Sequence, residues 1–271
     1  MEIILYESFD GVDDPVKTEY LIHSQLIEKK ELINTNYVYV SLPLASNINT
    51  KGILYTQNLI NHICRLHQDK KLFFVCQHIL VKDLNFHNNL VFTPHATVTD
   101  NFIPIPHHSC NYDLEYVKEW KDRKYTFSFI GSFTTHPVRQ KIYEHLKDRD
   151  DCLILDSGVW HFYNNAEKQT ENKRRYIEVL GDTKYSLCPR GTGPSTIRIW
   201  EAMAMGSCPI ILSDFLKMPL ERHINSNLWK KHPENFNTLN FGSDSYINQD
   251  YFRYFSNDNL CLSIVKAVEG L

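Results

Sequence analysis

The sequence predicts two doubly wound α/β domains, and three observations lead there. Apolar, strand-like runs alternate with segments of helical period. The alternation occurs twice, with a polar, charged stretch at 107–124 between the two series. The chain's 271 residues exceed what one small core usually serves. One large α/β sheet is the alternative reading of the same pattern.

In the first series, EIILY (2–6) reads as a strand followed by the loop FDGVDDP. EYLIHSQLIEKKEL (19–32) has helical spacing, with Leu21, Ile22 and Leu26 on one face. YVYVSLPL (37–44) reads as a buried strand, 53–69 as an amphipathic helix and LFFVCQHIL (72–80) as a strongly apolar strand. NLVFTP (89–94) and NFIPIP (101–106) are short strands stopped by proline. In the second series, strands are expected at 125–132, 152–156, 185–189 and 209–213, and helices at 137–148 and 174–183. Pro137 stands in the first turn of the former, a favoured place. The end, 259–270, reads as a terminal helix. The expected division is 1–110, 111–245 and a terminal segment 246–271 that packs back on the first domain.

A net charge of -3 gives no electrostatic case for nucleic acid as a partner. The seven cysteines are odd in number, form no CxxC pair and sit mostly in apolar runs, so they read as free thiols of a reducing compartment. The amino terminus turns acidic after one short strand, unlike a signal peptide, and no run approaches the roughly 20 apolar residues of a membrane span. A soluble, cytoplasmic protein is therefore expected.

The most informative stretch is LCPRGTGPSTIRIWEAMAMGSCPIILSD (187–214). Its loop, 190–196, leaves the carboxyl end of a strand, where doubly wound sheets bind ligands. Gly191 and Gly193 let a ligand approach the backbone, and Ser195 or Thr196 can cap the helix that follows. Arg190 and Arg198 add guanidinium groups suited to phosphate. Glu201, one turn on, can accept hydrogen bonds from vicinal ribose hydroxyls, or it can simply pair with Arg198 along the helix.

This stretch resembles the carboxyl-terminal signature of the exostosin family, glycosyltransferase family 47. The resemblance rests on Cys188, Pro189, Gly191, Ser195, Arg198, Glu201, Ala202, Gly206, Pro209, Ser213 and Asp214. YTFSFIGSFTTHPVRQKIYEHL is similar to the family's strand, glycine turn and Arg-bearing helix, with Arg139 at the Arg position. QDKKLFFVCQHILVKD is similar to a segment that carries His-Asp in the family and His78-Ile79 here. The resemblance implies a GT-B architecture, two Rossmann-like domains facing across a cleft, the second holding a nucleotide-sugar and the first a glycan or glycoprotein acceptor. It implies inversion at the anomeric carbon, no dedicated metal and no other cofactor. The donor is expected to be a UDP-sugar, UDP-xylose by analogy, and the chain a soluble viral or microbial member of the family. If viral, its location would be the host cytoplasm. Trp160, after the strand at 152–156, is a candidate for stacking on the base.

Inverting transfer needs a general base for the acceptor hydroxyl. His78 closes a buried strand and is the first candidate, with Asp13 in the loop after the first strand and Asp83 just beyond His78 as rivals. The Asp-x-Asp of DRDD (148–151) ends a helix ahead of a strand, the wrong edge of a sheet for a ligand, and reads as a solvated turn. A non-catalytic carbohydrate-binding relative and another nucleotide-binding α/β enzyme are the competing functions.

Overall fold

The computed structural model describes residues 1–9, 17–158, 166–221, 224, 228–239 and 249–270. The chain is α/β and forms two compact units, each built on a five-stranded parallel sheet. The first unit comprises Met1–His108, Phe215–Glu221 and Tyr254–Leu271, and the second Ser109–Asp214 and Arg222–Arg253.

In the first unit the strands run in chain order: β1 (Glu2–Leu5), β2 (Tyr37–Ser41), β3 (Lys71–Val75), β4 (Leu90–Thr93) and β5 (Ile103–Pro104). Alternate residues of each strand feed two cores, as a pleated strand requires. Val38, Val40, Leu72 and Phe74 meet α2 (Leu44–Lys51) and α3 (Ile53–Leu66) through Leu44, Ile48, Ile60 and Ile63. Tyr39, Phe73 and Val75 meet α1 (Thr18–Lys29) and the terminal α8 (Leu262–Gly270) through Ile22, Leu26, Ile264 and Val268. The connections β1–β2 and β2–β3 step the same way across the sheet yet lie over opposite faces. Their hands are therefore opposite, and one is of the rare left-handed kind.

The helix α2 has no counterpart in the sequence pattern, which extends the strand through Leu44. Its capping group comes from elsewhere in the chain. The buried Glu19 carboxylate accepts from the Ala45 amide at 3.1 and 3.2 Å. Gly52, at φ +86°, ends α2 and starts α3 in a conformation that only glycine adopts cheaply.

In the second unit the order is β10-β9-β8-β6-β7, with β6 (Tyr125–Gly131), β7 (Cys152–Asp156), β8 (Thr183–Pro189), β9 (Cys208–Leu212) and β10 (Lys230–Lys231). From β6 the chain steps outward to β7 through α4 (Pro137–Leu146). It then returns across β6 through α5 (Ala166–Gly181) to β8, and continues through α6 (Arg198–Ala204) to β9. Val138, Ile142 and Leu146 of α4 pack on Phe127, Phe129, Leu187 and Ile210. On the other face lie the small residues Ser128 and Ser186, which let helices approach closely. Ser186 and Ser207 share a hydrogen bond of 2.7 Å, and Thr183 donates to Ser128 at 2.9 Å.

Of the segment 107–124, which reads as a linker, the residues from Ser109 on begin the second unit and are anchored by Arg123. That buried guanidinium donates to the carbonyls of Lys118, Thr183 and Met205 at 3.0, 2.7 and 3.1 Å.

Candidate donor site

The strand order of the second sheet reverses between β6 and β8, which leaves a crevice outside their carboxyl ends. Two loops line it, 132–136 leading into α4 and 190–197 leading into α6. His136 sets the start of α4. Its extended backbone and its Nδ1, which accepts from Val138 N–H at 3.3 Å, cap the helix, and Pro137 follows at the first turn.

Arg139, one turn in, ties the two loops together. Its Nη1 donates to Ser132 O at 2.8 Å, its Nε to Arg190 O at 2.9 Å, and its Nη2 reaches Pro189 O at 3.5 Å. Gly191 makes room for this: a Cβ there would lie 3.1 Å from Arg139 Nη2 and 3.6 Å from Thr135 Oγ1. Burial, and then the neighbouring Arg198, lower the Arg139 guanidinium to about 10, so it is still a cation at neutral pH.

Arg198 starts α6. Its Nη2 donates to Ile130 O, and its guanidinium lies 4.6 Å from the Phe129 ring centre and 5.1 Å from that of Tyr176. Arg139 lies 5.4 Å from the same Phe129 ring. Among the described residues no carboxylate comes within 4.0 Å of either guanidinium; the ion pair in this crevice belongs to Arg190, 3.8 Å from Glu234. Among the described residues, four buried polar atoms around the crevice lack a hydrogen-bond partner: Arg198 Nε, Thr135 Oγ1, Ser195 Oγ and Ser213 Oγ. Such groups are costly to bury unless something else satisfies them.

The structure thus gathers Arg139, Arg190, Gly191, Ser195 and Arg198 at one edge, with Gly193 buried and Thr196 half-buried in the same loop. Two details differ from the sequence reading. Neither Ser195 nor Thr196 caps α6. Ile197 is already helical, and the first turn is closed by backbone bonds from Ile199 N to Thr196 O and from Trp200 N to Ile197 O, at 3.3 and 3.0 Å. Glu201 also makes no ion pair with Arg198. It is 3% exposed, and its carboxylate accepts from Asn111 N at 3.0 Å, Asn111 Nδ2 at 2.7 Å and Tyr176 Oη at 2.6 Å. Burial raises its pKa against these hydrogen bonds. Both oxygens face the protein, and through Tyr176 the carboxylate supports the ring beneath Arg198.

Glu234, Phe129, Tyr176 and Thr135 are site residues that the sequence does not single out. Glu234 lies 20 positions past the motif, where the strand-helix pattern is weak, and no local signal marks it.

In the first unit His78 stands beyond the carboxyl end of β3. Its Nδ1 accepts from Leu80 N–H at 3.1 Å, and its Nε2 lies 3.1 Å from Asn49 Oδ1. The Leu80 bond fixes Nδ1 as the lone-pair atom, so Nε2 carries the proton. Asp83 is exposed at the end of the following turn. Asp13 and Trp160 lie outside the described residues. Near the Asp-x-Asp, Arg149 grips Asp151 through two bonds of 2.9 and 2.8 Å on the surface. Among the described residues no helix is long and apolar enough to cross a membrane, and no group of three or more His, Cys, Asp or Glu is placed to hold a metal ion.

Comparison with known proteins finds a family and several partial relatives. The exostosin GT47 domain matches residues 58–231. Ribitol-5-phosphate xylosyltransferase 1 of Danio rerio is 30% identical over 94 residues, 34% of this chain and 21% of that protein. An exostosin-1 homolog of Caenorhabditis elegans is 24% identical over 148 residues, 48% of this chain and 39% of the relative. A probable glucuronoxylan glucuronosyltransferase of Arabidopsis thaliana is 24% identical over 102 residues, 36% of this chain and 21% of the relative. The matches span only 21% to 39% of the length of these curated relatives. The chain belongs to the exostosin GT47 family.

Proposed function

From that family and this crevice together, we propose that the chain is a glycosyltransferase whose nucleotide-sugar donor binds in the second unit, diphosphate against Arg139, Arg198 and the 190–196 loop. The observation that carries the reading is the pair of partly buried guanidiniums with no carboxylate partner among the described residues. Removing a cation from water without a counter-charge costs several kcal/mol, and the diphosphate of a nucleotide-sugar supplies two negative charges. The unpartnered Thr135, Ser195 and Arg198 groups are donors suited to its oxygens.

The donor in this reading is a UDP-sugar. UDP-xylose is the first to test, because one relative is named for xylosyl transfer. The acceptor is a glycan or glycoprotein hydroxyl, and transfer inverts the anomeric carbon. The chain's own cations match the donor's charge, so the reading needs no metal ion and expects activity to survive a chelator. Glu201 acts as a positioning residue that holds Tyr176 under Arg198, in place of contacting ribose. Deprotonation of the acceptor is assigned to the carboxyl edge of the first sheet. Asp83 is the first residue to test there, and His78 the next, since its lone pair must first leave the Leu80 amide; Asp13, outside the described residues, is tested alongside them, each by the pH–rate profile of its neutral variant.

A thermal-shift screen of nucleotide-sugars tests the reading. A ligand at about 100 times its Kd stabilises the fold by roughly 2.7 kcal/mol. The expected outcome is a shift with UDP-sugars that disappears in Arg198→Ala. A screen in which no nucleotide-sugar shifts the transition would overturn it.

A further inference from the structure

The three guanidiniums of the crevice are held in different ways. Arg139 is fixed by bonds of 2.8 and 2.9 Å, and Arg198 is stacked between Phe129 and Tyr176. Arg190 is held loosely. Its bonds to Gly191 O and Thr192 O are both 3.4 Å, and its Nη1 lies 3.8 Å from Glu234. Glu234 is better anchored than the arginine it faces. Its Oε1 accepts from Asp214 N–H at 3.1 Å, its own N–H donates to Asp214 Oδ1 at 2.9 Å, and its Oε2 lies 3.7 Å from His136 Nε2.

A charge count gives this contrast a meaning. A nucleotide-sugar carries two negative charges on its diphosphate, and Arg139 and Arg198 match them. In transfer, the bond from C1 of the sugar to the β-phosphate oxygen breaks and its electron pair goes to that oxygen. The acceptor oxygen bonds to C1, and its proton passes to the general base. The departing nucleoside diphosphate gains a third negative charge, since a terminal phosphate loses its last proton with a pKa of about 6. Among the described residues, Arg190 is the guanidinium of the crevice paired with a carboxylate, and its hydrogen bonds are longer than those that fix Arg139.

We propose that Arg190 is the catalytic cation for the leaving diphosphate, held off the bound donor by Glu234 and released to the β-phosphate as the third charge develops. This rests on the donor-site reading above. An interaction made only as the bond breaks raises kcat, whereas one made equally with the donor would only lower KM.

The experiment measures steady-state kinetics with UDP-xylose, and product inhibition by UDP, in Arg190→Gln, Arg190→Lys, Glu234→Gln and the wild type, with thermal transitions as the check on folding. Arg190→Gln is expected to lower kcat about 100-fold, the usual scale for losing one charge-stabilising donor. Its donor KM should stay within about threefold and its UDP inhibition constant rise at least about tenfold. Arg190→Lys should recover part of kcat. Glu234→Gln frees Arg190 to grip the intact donor, so KM and kcat should fall together by about three- to tenfold.

An Arg190→Gln variant with raised KM and unchanged kcat would make Arg190 a ground-state anchor and overturn the proposal. So would a Glu234→Gln variant whose KM rises or whose kinetics do not change. The donor-site reading fails separately, and takes the proposal with it, if the wild type binds neither UDP nor UDP-xylose by calorimetry.

Discussion

The carboxyl edges of the two sheets differ in the charge they leave unpaired. At the second, two guanidiniums lack carboxylate partners among the described residues, and three buried hydroxyls lack any hydrogen-bond partner. At the first, His95 Nδ1 and His107 Nδ1 also lack a partner among the described residues, but the buried carboxylate is satisfied from within. The Glu19 carboxylate accepts from the amides of Ala45 and Gln77, the latter at 2.6 Å, and Gln77 Oε1 accepts from Glu19 N at 3.0 Å. His78 has both ring nitrogens engaged. The proposed donor site lies at the edge that carries the unpaired cations. In the proposed reading the donor carries the charge and the acceptor carries none at its reacting group.

The comparison breaks most readily at Arg198. Arg198→Ala removes a charge-assisted donor and leaves Phe129 and Tyr176 without the cation between them. A loss of about 100-fold in UDP affinity is expected, roughly 2.7 kcal/mol, read by calorimetry. His78→Ala should leave that affinity within about twofold.

Glu201 separates positioning from binding. Glu201→Ala strands the Asn111 amide and the Tyr176 hydroxyl in the core. A cost of about 2–4 kcal/mol is expected, seen as a lower thermal transition. Glu201→Gln keeps an acceptor for Tyr176 and should recover most of that loss. If Glu201→Ala weakened UDP binding with no change in the thermal transition, the carboxylate would be a ligand contact after all.

The first edge should be the acid-sensitive one. Burial lowers His95 to about 4, against the hydrogen bond from its Nε2 to Gln77 O at 3.1 Å, and burial lowers His107 in the same direction. The unfolded chain therefore binds protons that the folded one refuses. Stability from His95 is present above pH 6.5, the ordinary histidine value, and is lost as pH falls from there towards 4. Its size is on the order of 3 kcal/mol. His95→Gln should flatten the dependence of the thermal transition on pH across that window. An unchanged slope would contradict it.

The smallest effect belongs to the loop. Gly191→Ala pushes a Cβ towards Arg139 Nη2, the end of a flexible side chain, so a fall in UDP affinity of only a few-fold is expected. Stability should change little, because the φ of Gly191 is not of the left-handed kind that other residues resist.

The second unit is the more legible in sequence, for a physical reason. Strands β6 to β9 are contiguous apolar runs, and the cradle residues at 190–198 are neighbours in the chain, so local pattern carries both. What the sequence does not reveal is built from distant segments. Helix α2 is capped by Glu19, 26 residues earlier. Glu201 is held by Asn111, 90 residues away, from a stretch that reads as a linker. Strand β10 is two lysines paired to Ile210 and Ile211, with no apolar signal of its own. The spacing of Arg198 and Glu201 suggests a helical ion pair or a ribose contact. The structure turns the carboxylate inward because Tyr176 and Asn111 bring three donors to it.

The most direct test of the central claim is a crystal structure of the chain with UDP. Diphosphate oxygens are expected within about 3 Å of the Arg198 guanidinium and of the 190–196 backbone, the distance of a charge-assisted hydrogen bond. A nucleotide found elsewhere on the chain, with Arg139 and Arg198 untouched by phosphate, would contradict it.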